Sequence, residues 1–163
     1  MPTLELPQTA GCLVCGRSNP HGLHLSLHVD PSTGIVTTTF TPSADHIGFE
    51  HIIHGGVLAT VLDEAMVWAA TWAGKRFCVA GELTVRFREP ACPGDALLCT
   101  TRVDQFRSRL ITTTGEITRP VGSATIATAT GKYVPLDDER NRAFLATLVD
   151  DATTRVAGDA LRG

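Results

Sequence analysis

The chain has 163 residues, of which 43% are hydrophobic and 19% charged, and its formal net charge is -3 at pH 7. This length suits one domain with a real core and is too short for two ordinary ones. The slight acidity gives no reason to expect nucleic acid as a partner. The first residues lack the basic start and apolar run of a signal peptide, and no stretch approaches the roughly 18 uninterrupted apolar residues of a membrane helix. We therefore predict a cytoplasmic protein that does not bind membranes.

The chain contains five cysteines, an odd number that fits reduced thiols better than a disulfide framework. Cys12 and Cys15 form a CxxC motif that is followed by His21 and His24, and all four are of residue types that bind zinc. These ligands would have to converge within one short segment. We therefore favour two buried thiols in a turn before a strand, and we predict neither a metal nor a cofactor.

The N-terminal third predicts strands ahead of a helix. Residues 23–29, LHLSLHV, alternate strictly, which predicts a half-buried strand with His24 and His28 on its solvated face. A turn leads to a returning strand at residues 35–40, and residues 41–53 predict a loop.

A long helix is predicted from about Gly55 to Ala73, ended by Gly74 and Lys75. Its sequence is apolar nearly all round, which is typical of a buried helix. A sheet must therefore wrap most of its circumference.

Four segments rich in Val, Thr, Ile and Phe follow without a second helix between them: residues 77–88, 96–105, 109–118 and 121–133. Strands joined so closely must be mostly antiparallel, because a parallel pair needs a longer crossover. The predicted class is α+β, with one long central helix wrapped by a curved antiparallel sheet. This single domain covers residues 1–136, with residues 1–22 as a lead-in. Residues 137–163 predict a short amphipathic helix or a mobile tail.

Two adjacent acids, Asp63 and Glu64, interrupt the apolar helix. Neighbouring helical residues point about 100° apart, so the two carboxylates cannot share a face. Asp63 has mostly small and apolar neighbours, whereas Glu64 lines up with Thr60, Val67 and Thr71. An ionised acid among apolar side chains is costly unless it is well bonded or functional. Asp63 is thus the candidate catalytic carboxylate. Glu64 is a secondary candidate, and its plainer interpretation is a partly solvated edge residue.

The helix begins at HGG, residues His54 to Gly56. First-turn N–H groups carry a partial positive charge, and glycine lets a substrate oxygen approach them. Such a turn can bind an oxygen that becomes negative during acyl transfer, although an entry turn capped by His54 is the plainer alternative. Asp63 lies about 12 Å beyond Gly55 along the axis, too far to act on a carbonyl at its own helix start. If both serve one site, the protein must be at least a dimer.

Three stretches together resemble the hotdog-fold acyl-CoA thioesterases of the PaaI-like type: CLVCGRSNPHGLHL (12–25), HIIHGGVLATVLDEAM (51–66) and GELTVRFREPACPGD (81–95). The resemblance covers about residues 12–134. It implies the hotdog fold, dimers that often pair into tetramers, and hydrolysis of acyl-CoA without a metal, so that coenzyme A is part of the substrate. In such enzymes the acid nine residues after the His of HGG is the catalytic carboxylate, here Asp63. The first glycine after that His supplies an oxyanion N–H, here Gly55.

The chain departs from this family at Gly81, where relatives often carry Ser or Thr, and at Gly48, where some carry Asn. These departures favour, as an alternative, an acyl-CoA or acyl-ligand binding module with weak or no hydrolysis. A hydratase of the same fold is less favoured, because no Asp/His pair lies in register. Whether Asp63 acts as a general base or as a nucleophile stays open, and so does the acyl group.

Coenzyme A phosphates need cationic anchors. Arg86 and Arg88 share one face of a predicted strand, and Arg107 and Arg109 fall at a predicted turn. The plainer alternative for each is a solvated charge. The candidate substrate-binding residues are Arg86, Arg88, Arg107, Arg109, Gly81 and Val67.

Overall fold

In the computed structural model, one long helix, α1 (Gly55–Gly74), packs against a large antiparallel sheet. His54 caps its N-terminus, and Lys75 ends it in the left-handed conformation with φ of 51°. Leu62 and Met66 in its middle are fully buried, as the nearly all-apolar sequence predicts. The predicted α+β class with one long central helix is therefore confirmed.

The strands follow the chain as β1 (Leu4–Glu5), β2 (Gln8–Thr9), β3 (His28–Val29), β4 (Val36–Phe40), β5 (Ile47–Phe49), β6 (Ile52–Ile53), β7 (Cys78–Phe87), β8 (Leu97–Arg107), β9 (Leu110–Thr118), β10 (Thr125–Pro135) and β11 (Leu148–Val149). Within the described residues, seven of them form one sheet in the order β1-β3-β4-β8-β9-β10-β7. Strands β7 to β10 cover the four segments that were predicted after the helix, and their pairings are antiparallel. β7 pairs with β10 and forms one edge of this sheet.

The structure describes residues 2–149 and 151–163. No helix in these two ranges has the length and apolar character that crossing a membrane requires.

The strand predicted at residues 23–29 is regular only at β3. His24 has a positive φ of 52°, which interrupts the extended backbone. The Leu25 N–H nevertheless donates to the Val14 carbonyl at 2.8 Å, and Leu25 and Leu27 are buried as the alternation predicted. This segment therefore pairs with the CxxC turn instead of completing a long sheet strand.

Residues 137–163 form a helix α2 (Asp138–Leu145), strand β11 and a helix α3 (Arg155–Arg162). The sequence left a short helix or a mobile tail open for this segment, and the structure has two short helices there. Ala157 and Leu161 of α3 are buried, and β11 pairs with β2. The two ends of the chain therefore pack against each other. Local sequence patterns cannot predict this contact, because the residues that form it are far apart in the chain.

Candidate active site

The first turn of α1 is organised by His54. Its Nδ1 accepts the Gly56 N–H at 2.8 Å, and its carbonyl oxygen accepts the Val57 N–H at 2.9 Å. Its own N–H donates to the His46 carbonyl at 2.8 Å. The Gly55 N–H has no partner among the described residues, and it lies at the positive end of a long helix. This N–H is therefore available to an incoming oxygen.

An open pocket of about 330 Å³ lies beside this turn, and Gly55 forms part of its wall. A Cβ on Gly55 would lie 2.9 Å from Phe87 Cζ, so the phenyl ring would have to shift to admit a side chain there. Phe87 is 55% exposed, and the lining also includes Ile52, Leu58 and Arg88. The pocket thus combines apolar walls, a backbone donor and a cation.

Asp63 is half-buried and faces β10. The Tyr133 hydroxyl donates a hydrogen bond of 2.9 Å to Asp63 Oδ1. Burial, followed by the charge of Asp63, raises the pKa of the Tyr133 phenol, so Tyr133 stays protonated and acts as the donor. This bond fixes the orientation of the carboxyl group.

Sequence reasoning missed Tyr133. The period-two pattern of β10 puts it on the same face as Gly131 and Ala129, both of which are buried. That pattern could have predicted a buried tyrosine. It could not have predicted Asp63 as its partner, because the contact joins residues far apart in the chain.

Glu64 faces a different part of the molecule. Trp68 Nε1 donates to Glu64 Oε1 at 3.0 Å, and Cys12 Sγ lies 3.6 and 3.7 Å from the two carboxylate oxygens. Burial, then the charge of Cys12, raises the pKa of Glu64 to about 7. Glu64 is half-buried, which agrees with its interpretation as a partly solvated residue, and Cys12 of the N-terminal segment contacts its carboxylate. Its secondary catalytic role stays a prediction.

Cys12 and Cys15 lie next to each other and close to the Glu64 carboxylate. A hydrogen bond from the Cys15 thiol is the largest cause that lowers the pKa of Cys12, to about 5, and the same bond raises the pKa of Cys15. His21 and His24 do not belong to this group, and both are exposed. The four potential ligands of the CxxC segment, the two cysteines and the two histidines, thus do not form one metal site.

The four candidate arginines do not converge within one chain. Arg86 and Arg88 are exposed and border an open groove of about 310 Å³ on the sheet face opposite the core. Arg107 and Arg109 lie at the β8–β9 turn, beside the C-terminal end of α1. Among the four, Arg88 also lines the pocket beside Gly55.

The remaining candidate positions have different surroundings. Gly81 is exposed at a bulge in β7, where the register with β10 shifts. A Cβ on Gly48 would lie 2.9 Å from His54 Cα, so a side chain there would displace the residue that caps α1. Val67 is half-buried on α1. The departure from the family at Gly48 thus has a local packing reason.

Comparison with known proteins shows which proteins this chain is similar to. A sequence profile of the thioesterase superfamily matches residues 50–125, which contain the HGG turn and both acids of α1. The chain has the hotdog fold of the thioesterase superfamily. This finding confirms the resemblance to the PaaI-like group.

Solved structures share this hotdog fold. A thioesterase superfamily protein of known crystal structure is 26% identical with a TM-score of 0.69, covering 76% of this chain and 60% of its own length. The Escherichia coli PaaI protein from the phenylacetic acid degradation operon is 26% identical with a TM-score of 0.65, covering 71% and 81%. A Streptococcus mutans protein bound to acetyl CoA is 18% identical with a TM-score of 0.60, covering 64% and 82%, and shows the fold alone. No curated protein sequence matches significantly.

Proposed function

We propose that the protein is an acyl-CoA thioesterase that hydrolyses a thioester to a free acid and coenzyme A. The observation that carries this proposal is the unpartnered Gly55 N–H at the start of a helix that also holds Asp63. An acyl-transfer site needs such a donor for the developing oxyanion and a carboxylate to act on water or on the carbonyl. The acetyl CoA bound to the Streptococcus mutans relative supports the choice of substrate class.

We propose further that each active site forms between two copies of the chain. Asp63 and Gly55 lie about 12 Å apart along one helix, which is too far for a single carbonyl to reach both. Two antiparallel copies of α1 across a two-fold axis would bring the Asp63 of one chain to the Gly55 of the other. The exposed edge strand β7 supports a homodimer, because Val79 and Phe87 on it are 43% and 55% exposed. A further pairing of two dimers is compatible with this arrangement.

In this mechanism the Gly55 N–H donates to the thioester oxygen as that oxygen becomes negative. Asp63 of the partner subunit then has two possible roles. As a general base it takes a proton from the attacking water; as a nucleophile it forms an anhydride that water hydrolyses. In both cases the C–S bond breaks and the thiolate of coenzyme A leaves. Arg88, which borders the pocket of Gly55, is the arginine best placed to hold a phosphate.

A thiol-release assay with short, medium, long and aromatic acyl-CoAs tests the activity. We expect turnover with at least one class, and the same assay identifies the acyl group. The proposal fails if Asp63→Asn releases thiol from the best substrate as fast as the unchanged chain.

Mixed dimers test the shared site. Asp63→Asn and Gly55→Pro are each expected to be inactive alone, because proline removes the Gly55 N–H and is tolerated at the first position of a helix. Re-association of equal amounts should restore about a quarter of full activity, because half of the dimers are mixed and each of these has one intact site. If mixing restores nothing, the two residues serve a site within one chain. An active Gly55→Pro chain would show that the Gly55 N–H is not the oxyanion donor.

A binding module with weak or no hydrolysis is the alternative function, and the observation that favours it is the glycine at positions 48 and 81. Calorimetry would then show tight acyl-CoA binding without turnover for every chain length. A cytoplasmic location remains part of the proposal, and it is consistent with five free cysteines.

A further inference from the structure

We propose that Cys12, Cys15 and Glu64 form a zinc site that joins the N-terminal segment to the middle of helix α1. One ligand atom from each residue can be chosen so that all three lie within 4.8 Å of one another. The two thiols come from the CxxC turn and the carboxylate from α1, so the site connects parts of the chain that are 52 residues apart. This site is separate from the pocket beside Gly55.

The spacing between the ligand atoms of Cys12 and Glu64 matches zinc, and the Cys15 ligand atom lies within 4.8 Å of both. Zinc–sulfur and zinc–oxygen bonds of about 2.3 and 2.1 Å put tetrahedral ligands about 3.5 to 3.8 Å apart. Cys12 Sγ already lies 3.6 and 3.7 Å from the Glu64 oxygens. Two thiolates with one carboxylate also favour zinc over calcium or magnesium, which prefer oxygen ligands alone. The ion could therefore enter with little movement of the backbone.

Neighbouring groups orient both kinds of ligand. The N–H groups of Val14 and Cys15 point at Cys12 Sγ, at 3.3 and 3.4 Å, as donors to a thiolate. The Trp68 indole N–H donates to Glu64 Oε1, so Oε2, which lies 3.7 Å from Cys12 Sγ, is the oxygen that we expect to bind the ion. Such outer contacts hold ligands in place in metal sites.

The turn itself is closely packed. The Gly16 N–H donates to the Cys12 carbonyl at 3.1 Å, and a Cβ on Gly16 would lie 2.5 Å from the Ala10 carbonyl oxygen. The sequence CxxCG therefore fixes a tight turn that holds both sulfur atoms on one side.

The possible negative charge of Cys12, Cys15 and Glu64 also favours a bound cation. Within residues 2–149 and 151–163, no lysine or arginine forms an ion pair with Glu64. Three groups that become anionic on losing a proton thus lie together without a positive partner, an arrangement that is costly unless a metal or shared protons compensate. Cys12 is half-exposed, so solvent reaches one side of the cluster and a water molecule can serve as the fourth ligand.

Metal content of the purified full-length chain tests the proposal directly. After the chain has been loaded with zinc and desalted, we expect elemental mass spectrometry to find one zinc ion per chain. Cobalt loading should give a thiolate-to-cobalt charge-transfer band and the visible bands of a tetrahedral ion. Cys15→Ser and Glu64→Gln should each weaken zinc binding by at least about 100-fold, and Trp68→Phe by about 10-fold. Cys92→Ser, which changes another half-exposed cysteine outside the cluster, should bind like the unchanged chain.

Three results would overturn the proposal. The first is a chain that retains no zinc after loading and desalting. This result can be interpreted without any variant. The second is an unchanged zinc affinity in Glu64→Gln, which would remove the carboxylate from the site. The third is a Cys12–Cys15 disulfide in the chain purified under reducing conditions, shown by peptide mass. Circular dichroism of each variant separates lost folding from lost ligands, and Cys12→Ser repeats the test at the more exposed thiol.

Discussion

The adjacent carboxylates of Asp63 and Glu64 lie on two sides of helix α1 and have different surroundings. On the sheet side, Asp63 accepts one strong hydrogen bond, from the Tyr133 hydroxyl. On the side that packs against the N-terminal segment of the chain, Glu64 lies against two thiols and the Trp68 indole. The first environment holds one carboxyl group in a fixed orientation, and the second gathers groups that can share protons or a metal. Neighbouring acids on one helix can therefore serve unrelated purposes.

The difference arises from helix geometry. A rotation of about 100° between neighbours turns one carboxylate towards β10 and the other towards the CxxC turn. Each direction meets a segment that is distant in sequence, so the two environments are independent. Substitutions on one side should then leave the properties of the other side nearly unchanged.

The largest expected effect separates the two acids. Asp63→Asn should lower kcat by at least about 100-fold because it removes the group that acts on water or the carbonyl. Glu64→Gln should keep kcat within about threefold while lowering the thermal midpoint. Steady-state thiol release and thermal unfolding of both variants measure this contrast. A large loss of kcat in Glu64→Gln, with the fold intact, would make Glu64 a member of the active site.

A smaller effect is expected at the hydroxyl that holds Asp63. Tyr133→Phe keeps the buried ring and removes the 2.9 Å bond to Oδ1. We expect kcat to fall about tenfold and the free energy of unfolding to fall by about 1 to 2 kcal/mol, because a bond to a charged group is lost. Kinetics and urea unfolding provide the measurement. Zinc affinity serves as the control and should not change, whereas an unaltered kcat would show that Asp63 needs no positioning by Tyr133.

The smallest effect is expected on the other side. Trp68→Phe removes the indole N–H that donates to Glu64 Oε1. We expect about 1 kcal/mol lower stability and an unchanged kcat. Urea unfolding beside the thiol-release assay checks this, with Tyr133→Phe as the matched variant from the opposite side. A drop in kcat comparable to that of Tyr133→Phe would mean that the two sides are coupled.

Much of the site could be predicted because its signals are local. The HGG turn and the carboxylate of Asp63 lie within one helix, so their spacing along the axis follows from the rise per residue. The same apolar periodicity predicted the buried helix and the strands that follow it. The pocket wall formed by Phe87 could not be predicted, since β7 reaches Gly55 only after the sheet has formed.

The sequence by itself determined the long helix, the antiparallel strands and the separation of Asp63 from Glu64, because periodicity and helical rotation are properties of neighbouring residues. The tertiary structure alone decided that Tyr133 bonds to Asp63 and that Cys12 and Cys15 meet Glu64. It also decided that α3 packs as an ordered helix. These contacts join residues far apart in the chain, and their partners are chosen by the packing of whole elements, which no local pattern encodes.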